Sequence, residues 1–269
     1  MLMFTRAKVL TVLASALAVL GIMAAAPALA DPPAPPGTPT ATPFDGISTV
    51  GPLFRHGLDQ NHGCTASVVA SPGRDLLLAA AHCVSGTAAG WQFAPGYRNG
   101  QTPYGVWTVT RAYVDPRWVR DQDPQYDYAI LEVADQSVDG RRTGVEDVTG
   151  ANILGRAPHA GQSVTDVAYN SGIDDRPVKC TTTVYYTDGF PGFNCHGFVG
   201  GSSGSPWLSE VPGTGLTEVD GLIGGLHQGG CYEYTSYSPA FTWQAYKLVL
   251  RASLGLRPDV VPVAGSDGC

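Results

Sequence analysis

The chain has 269 residues, 43% hydrophobic and 14% charged, enough for one large domain or two small ones. Its formal net charge is −7, from 16 basic and 23 acidic residues, which excludes a basic nucleic-acid surface and a polybasic membrane patch. Thirty-four glycines and 21 prolines point to many short strands and turns, and six cysteines suit an oxidising compartment.

Residues 1–30 read as an export signal. Arg6 and Lys8 make a basic start, Val9 to Ala26 an uncharged apolar run, and Ala28-Leu29-Ala30 a small-x-small ending before Asp31. The competing reading is a retained membrane anchor, since the run is nearly long enough to span a bilayer. The small residues and the polar, Pro-rich stretch that follows favour cleavage after Ala30 and secretion. Residues 31–46 read as a Pro-rich linker or pro-segment, extended and disordered from Asp31 to Pro43.

Short strand-like runs then recur between turn residues: Thr49–Phe54, Thr65–Ala70, Leu76–Ala81, Gly105–Val114, Tyr128–Val133, Ser163–Tyr169, Val178–Tyr186 and Val219–Leu226. Their spacing predicts an all-β domain of antiparallel barrels or sandwiches. One helix is predicted near the end of the chain. Ser238 can cap it and Pro239 suits its first turn. Phe241, Ala245, Leu248, Val249 and Ala252 give it an apolar face, and Gly255 and Pro258 stop it.

Three segments carry chemistry. Gly200-Gly201-Ser202-Ser203-Gly204-Ser205-Pro206 suits neither helix nor ordinary strand, but it suits a tight turn that raises one serine above inward-pointing N–H groups. Ala79-Ala80-Ala81-His82-Cys83 places an imidazole at the end of a buried apolar strand, where a general base is held still. Tyr126-Asp127-Tyr128-Ala129-Ile130-Leu131 places an acid at the start of another, where it can be aimed at an imidazole N–H. Each pattern alone is commonplace. Their combination is specific.

In the order His82, Asp127, Ser203 the segments resemble the chymotrypsin-like (trypsin-fold) serine proteases, especially secreted bacterial members, over roughly residues 48–254. The resemblance implies two antiparallel β-barrels with a C-terminal α-helix over 47–269, the boundary between barrels falling at roughly 136–160. It implies Ser203 as nucleophile, His82 as general base, Asp127 as the acid orienting it, and the N–H groups of Gly201 and Ser203 as oxyanion hole. Ser202 and Ser205 compete for the nucleophile's role; the family's Gly-x-Ser-Gly-x-Pro pattern selects Ser203. The remaining acids Asp121, Asp123 and Asp135 read as turn residues, and His56, His62, His159 and His196 as surface residues. No cofactor and no metal is expected. The expected partners are protein or peptide substrates, with no nucleic acid and no membrane after signal removal, and the chain is expected to be a monomer. A catalytically silent binding protein on the same fold is the alternative. A lipase-type nucleophile elbow is disfavoured, because Pro206 follows Ser203 too closely for a helix to start there.

The sequence departs from the trypsin pattern in two places. Ser202 stands where trypsin-like zymogens carry the Asp that receives a new N-terminal ammonium, so that activation switch is not expected. Gly197 stands where trypsin-like enzymes carry the acid at the base of the specificity pocket, so cleavage after Lys or Arg is not expected. Gly225-Leu226-His227-Gln228-Gly229-Gly230 resembles the pocket wall of secreted bacterial glutamyl endopeptidases, in which the histidine binds a substrate carboxylate. Phe198 points the other way, to an apolar pocket, and both readings stay open. The resemblance also implies a Cys64–Cys83 disulfide, which would stabilise the loop bearing His82 by about 3 kcal/mol. Cys180–Cys195 with Cys231–Cys269 is preferred for the others; Cys195–Cys231 with Cys180–Cys269 is the rival.

Overall fold

The stretches Cys64–Val69 and Leu76–Ala79 are buried along their whole length, and they form the centre of a closed barrel. The structure, a computed structural model, describes residues 31–171 and 176–269. The leader proposed for residues 1–30 lies outside the described residues. Pro33 to Cys269 make one compact unit.

After a two-residue strand β1 (Thr42–Pro43), six strands close the first barrel. They are β2 (Val50–Phe54), β3 (Cys64–Val69), β4 (Leu76–Ala79), β5 (Gln92–Phe93), β6 (Trp107–Val114) and β7 (Ala129–Val133), in the order β2-β3-β4-β7-β6-β5. Every neighbouring pair is antiparallel. Leu53, Val68, Leu77, Phe93, Trp107, Tyr113 and Leu131 fill its interior at 1% exposure or less. Each such side chain contributes up to about 1.5–3 kcal/mol by leaving water. Glu132, half-buried on β7, is balanced by Arg111 across the ladder at 3.1 Å and by the Tyr113 hydroxyl at 3.2 Å. A short helix α1 (Pro116–Asp121), capped by Asp115, leads from β6 towards β7.

A hairpin, β8 (Gln136–Val138) and β9 (Arg141–Thr143), and helix α2 (Val145–Thr149) follow the first barrel. Asn152, fully buried, then joins the two halves: its N–H and side-chain amide both donate to Val68 O, and its side-chain oxygen accepts from Thr217. The second half comprises β10 (Ile153–Leu154), β11 (Ser163–Ala168), β12 (Val178–Thr183), β13 (Tyr185–Thr187), β14 (Phe190–Asn194), β15 (Pro206–Val211), β16 (Leu216–Leu222) and β17 (Thr235–Tyr237). A six-stranded sheet in the order β1-β12-β11-β15-β16-β10 and a three-stranded sheet β13-β14-β17 face a second core. There the Phe193 ring lies 4.8 Å from Trp207 and 5.6 Å from Phe198. Among these strands all pairings are antiparallel except β10 with β16.

Helix α3 (Trp243–Ser253) leaves the second half and packs Ala245, Leu248 and Ala252 onto the first barrel's core. Phe241, just before it, meets Tyr128 edge-on at 5.9 Å. The predicted helix is present but begins later than its cap signal suggested. Thr242 caps it, accepting from Gln244 N–H, while the Ser238 hydroxyl instead accepts Leu222 N–H at 2.9 Å. Both hydroxyls suit a cap, and a partner distant in sequence took Ser238 away.

Three further expectations are corrected. The Pro-rich segment is not a disordered spacer throughout: His196 N–H donates to Pro39 O, Ala41 N–H donates to His196 O, and β1 pairs with β12 as an edge strand. Proline tolerates that position because an edge leaves its missing N–H unused. The run Val178–Tyr186 is two strands, because Val184 turns aside to exchange backbone bonds with Gly161 and Gln162, and the chain changes sheets there. Finally, β16 ends at Leu222, because Gly225 turns into the left-handed region at φ 75°. Among the described residues no helix is long and apolar enough to cross a membrane.

Candidate active site

His82 follows β4 and lies next to Cys83, which a disulfide joins to Cys64 at the start of β3. Arg55 adds a bond to Cys83 O at 2.6 Å. Asp127 ends a 3₁₀ turn, Pro124–Tyr126, that Asp123 caps by accepting Gln125 N–H. The Asp127 carboxylate is 0% exposed, and three donors converge on it. His82 Nδ1 is 2.7 Å from Oδ2, His82 N–H donates to Oδ1 at 2.8 Å, and Gly225 N–H donates to Oδ2 at 2.8 Å. With Nδ1–H donated to Asp127, the neutral ring of His82 keeps Nε2 as acceptor. Gly224 leaves room for this acid, since a Cβ on it would sit 2.8 Å from Leu222 Cδ1 and 3.0 Å from Asp127 Oδ2. Gly224 and Gly225 were not singled out as supporting this acid; no local pattern marks a bond across so many intervening residues.

The serine loop is held from both halves. Buried Thr65 on β3 donates its hydroxyl to Gly201 O at 3.0 Å and accepts Tyr169 N–H at 2.9 Å, while its N–H donates to Ser203 O at 2.8 Å. Asn170 bonds Gly197 O and Val199 N–H, and Ser171 N–H donates to Gly200 O. Thr65 and Asn170 were missed by sequence reasoning; both look like ordinary strand-end polar residues. Gly201 sits at φ 101° with its Cβ position 2.3 Å from Ser171 N, so no side chain fits there.

The three candidate serines separate by environment. Ser205 is 0% exposed and donates to Asp166, and Ser202 is 5% exposed with its N–H on Val199 O. Ser203 is half-buried and lines a cavity with His82. Gly204 N–H donates to Ile223 O and Ser205 N–H to Ser202 O. Among the described residues the N–H groups of Gly201 and Ser203 have no internal acceptor. Burial holds Asp166 well above the ordinary carboxylate range, opposed by the single Ser205 hydroxyl.

The cavity has a volume of about 400 Å³. Phe198 and His227 line it with His82 and Ser203, whereas Gly197 is not among its lining residues. Gly197 N–H instead donates to Glu233 at 3.4 Å, and Glu233 pairs with His196 at 2.6 Å. Glu233 and Asp267 both line the cavity, acidic residues at positions that a search at Gly197 alone does not cover. A larger groove of about 700 Å³, bordered by Phe44, Val167, Lys179 and Leu208, holds none of the three predicted catalytic groups. Of the other histidines, His56 and His159 are exposed and His196 half-buried, but His62 is buried at 2% exposure between the rings of Phe54 and Tyr169. The surface expectation for His62 is therefore corrected: aromatic packing decides its place. Disulfides Cys180–Cys195 and Cys231–Cys269 are the preferred pairing, and the rival is not formed. The cluster His227, Cys231 and Cys269 would offer metal ligands only with its disulfide broken.

The sequence matches no protein-family model and no curated protein. Solved structures do match. Protease Anisep from Arthrobacter nicotinovorans aligns with a TM-score of 0.63 at 23% identity, covering 79% of this chain and 100% of its own. The thermostable serine protease AL20 from an extremophilic microorganism aligns at 0.63 and 23%, covering 77% of this chain and 97% of its own. A Glu endopeptidase in complex with MPD aligns at 0.63 and 17%, covering 81% and 98%. Identity at this level speaks for shared architecture alone. The closed barrel, second β half and returning C-terminal helix therefore give this chain the same fold as these proteases, the chymotrypsin-like (trypsin) fold.

Proposed function

We propose that the protein is a secreted, monomeric serine endopeptidase that hydrolyses peptide bonds through an acyl-enzyme on Ser203. One observation carries this reading: Ser203 and His82 share a cavity, and His82 is bonded at 2.7 Å to a fully buried acid. Ser203 Oγ attacks the scissile carbonyl and His82 Nε2 takes its proton, while Asp127 stabilises the imidazolium through Nδ1–H. The N–H groups of Gly201 and Ser203 receive the oxyanion, each donor worth roughly 10²–10³ in kcat. The amine leaves with the proton from His82, and water repeats the sequence to free the acid product. Three disulfides fit an oxidising, extracellular setting. Hydrolysis of a protein substrate tests this against a silent binding protein: Ser203→Ala and His82→Ala should each lose nearly all turnover, and the double variant should be scarcely worse, because the groups act as a unit. Full turnover in Ser203→Ala would remove the proposal.

For the residue before the scissile bond we propose Glu, read by His227, which lines the cavity. Its Nδ1 lies 3.0 Å from Asp267 O, leaving Nε2, when protonated, to donate to a substrate carboxylate. Glu233 in the same cavity favours a second reading, a basic side chain. A peptide-library cleavage profile decides between them. Glu preference erased by His227→Ala supports the first reading, with roughly 10- to 150-fold in relative rate at stake for a charge-assisted hydrogen bond. Cleavage after Lys or Arg, lost in Glu233→Gln, supports the second.

A further inference from the structure

The wall carrying His227 is held in an unusual conformation. Gly225, His227, Gln228, Gly229 and Gly230 all have positive φ, and two of them are not glycine: His227 at 53° and Gln228 at 50°. L side chains adopt this region sparingly, so neighbouring contacts must hold such a pair in place. Both side chains are fastened to the same segment. His227 Nδ1 lies 3.0 Å from Asp267 O, Gln228 Nε2 donates to Gly265 O at 3.0 Å, and Cys231 just beyond is disulfide-bonded to Cys269.

That segment is itself anchored on the loops of the other two catalytic candidates. Val261 exchanges backbone bonds of 2.8 and 2.9 Å with Gly86, four residues past His82. Gln122, five residues before Asp127, donates to Val263 O at 2.8 Å and accepts Gly265 N–H at 2.6 Å. Asp267 then borders the cavity. One strand of chain thus laces the His82 loop, the Asp127 loop and the His227 wall.

We propose that residues 261–269 are a specificity strap: they fix the His227 ring and its left-handed turn, and so set which side chain the pocket accepts. The proposal rests on the protease reading above. Among the described residues the bonds of the strap run to Gly86, Gln122, His227, Gln228 and Cys231, and none runs to Ser203 or Gly201, so it governs selectivity rather than the reactivity of the serine. Asp267 and Gly265 act on the wall through their carbonyls, and Cys269 through its disulfide; they are positioning residues.

The test compares the full chain with one ending at Ala264 and carrying Cys231→Ser, which removes the disulfide, both side-chain bonds and the Gly265 N–H bond to Gln122, and keeps the Val261 and Val263 anchors. Two quantities are read: labelling rate with a small fluorophosphonate, and the ratio of kcat/KM between the preferred residue before the scissile bond and its nearest competitor. The proposal predicts that the shortened chain labels within about threefold of the full chain while its selectivity ratio falls at least tenfold. Adding Gln228→Gly, which tolerates φ 50° without support, should recover part of the lost selectivity. Unchanged selectivity in the shortened chain overturns the proposal. Loss of labelling and selectivity together overturns it as well, since the strap would then support the whole site. A full chain that does not label at all refutes the protease reading, and the strap's role falls with it.

Discussion

Thr65 links the two halves through the serine loop, and its replacement by valine tests whether that link sets the site. Valine keeps the shape and loses the hydroxyl. Gly201 O then loses its donor at 3.0 Å and Tyr169 N–H its acceptor at 2.9 Å, both at a residue with 0% exposure. A buried polar group left without a partner costs about 1–3 kcal/mol. Two such groups, with some relaxation, give an expected loss of about 2–4 kcal/mol in urea unfolding. Activity should fall further than stability explains. Gly201 carries a proposed oxyanion donor, and freeing its carbonyl lets that peptide tilt. We expect kcat to drop about 10- to 100-fold, short of the roughly 10²–10³ for losing one donor outright. Thr65→Ser, which keeps the hydroxyl, should restore most of kcat. A Thr65→Val protein as stable and active as the parent would refute the argument that this hydroxyl bridges the halves.

The pH dependence of stability follows from Asp166. Its pKa is raised by burial, so the unfolded chain gives up a proton above about pH 4 that the folded chain retains, and stability declines as pH climbs from there towards the folded pKa. Asp166→Asn should raise Tm at neutral pH, with the gap to the parent closing below about pH 4; a gap that is constant with pH contradicts this. Processing should be permissive, because Ser202 offers no carboxylate to a new ammonium. Chains starting anywhere from Asp31 to Thr38, acetylated or free, should hydrolyse peptide equally, and an inactive form rescued by one new amine would contradict that.

The strands most legible in the sequence were those buried on both sides. Cys64–Val69 and Leu76–Ala79 announce themselves because no residue on either face must meet water. The candidate catalytic segments were legible because each role constrains its immediate neighbours: small residues before His82, aliphatics after Asp127, glycines around Ser203. What stayed hidden depends on partners far along the chain. Pro39–Phe44 reads as linker until β12 offers an edge. Ser238 and Thr242 are equal as caps until Leu222 N–H claims one of them. His62 looks like a surface residue until Phe54 and Tyr169 close over it. Glu233 enters the cavity from a stretch whose sequence carries no pocket signature, and its bond to Gly197 N–H exists only in the folded chain.

The central claim is that His82 and Asp127 activate Ser203 and no other hydroxyl. Reaction with a fluorophosphonate, followed by mass analysis of the labelled peptide, reads this directly. The account predicts one adduct per chain, on Ser203, formed quickly at neutral pH, slowed strongly in His82→Ala and absent in Ser203→Ala. An adduct on Ser202 or Ser205, or labelling at an undiminished rate without His82, would contradict it.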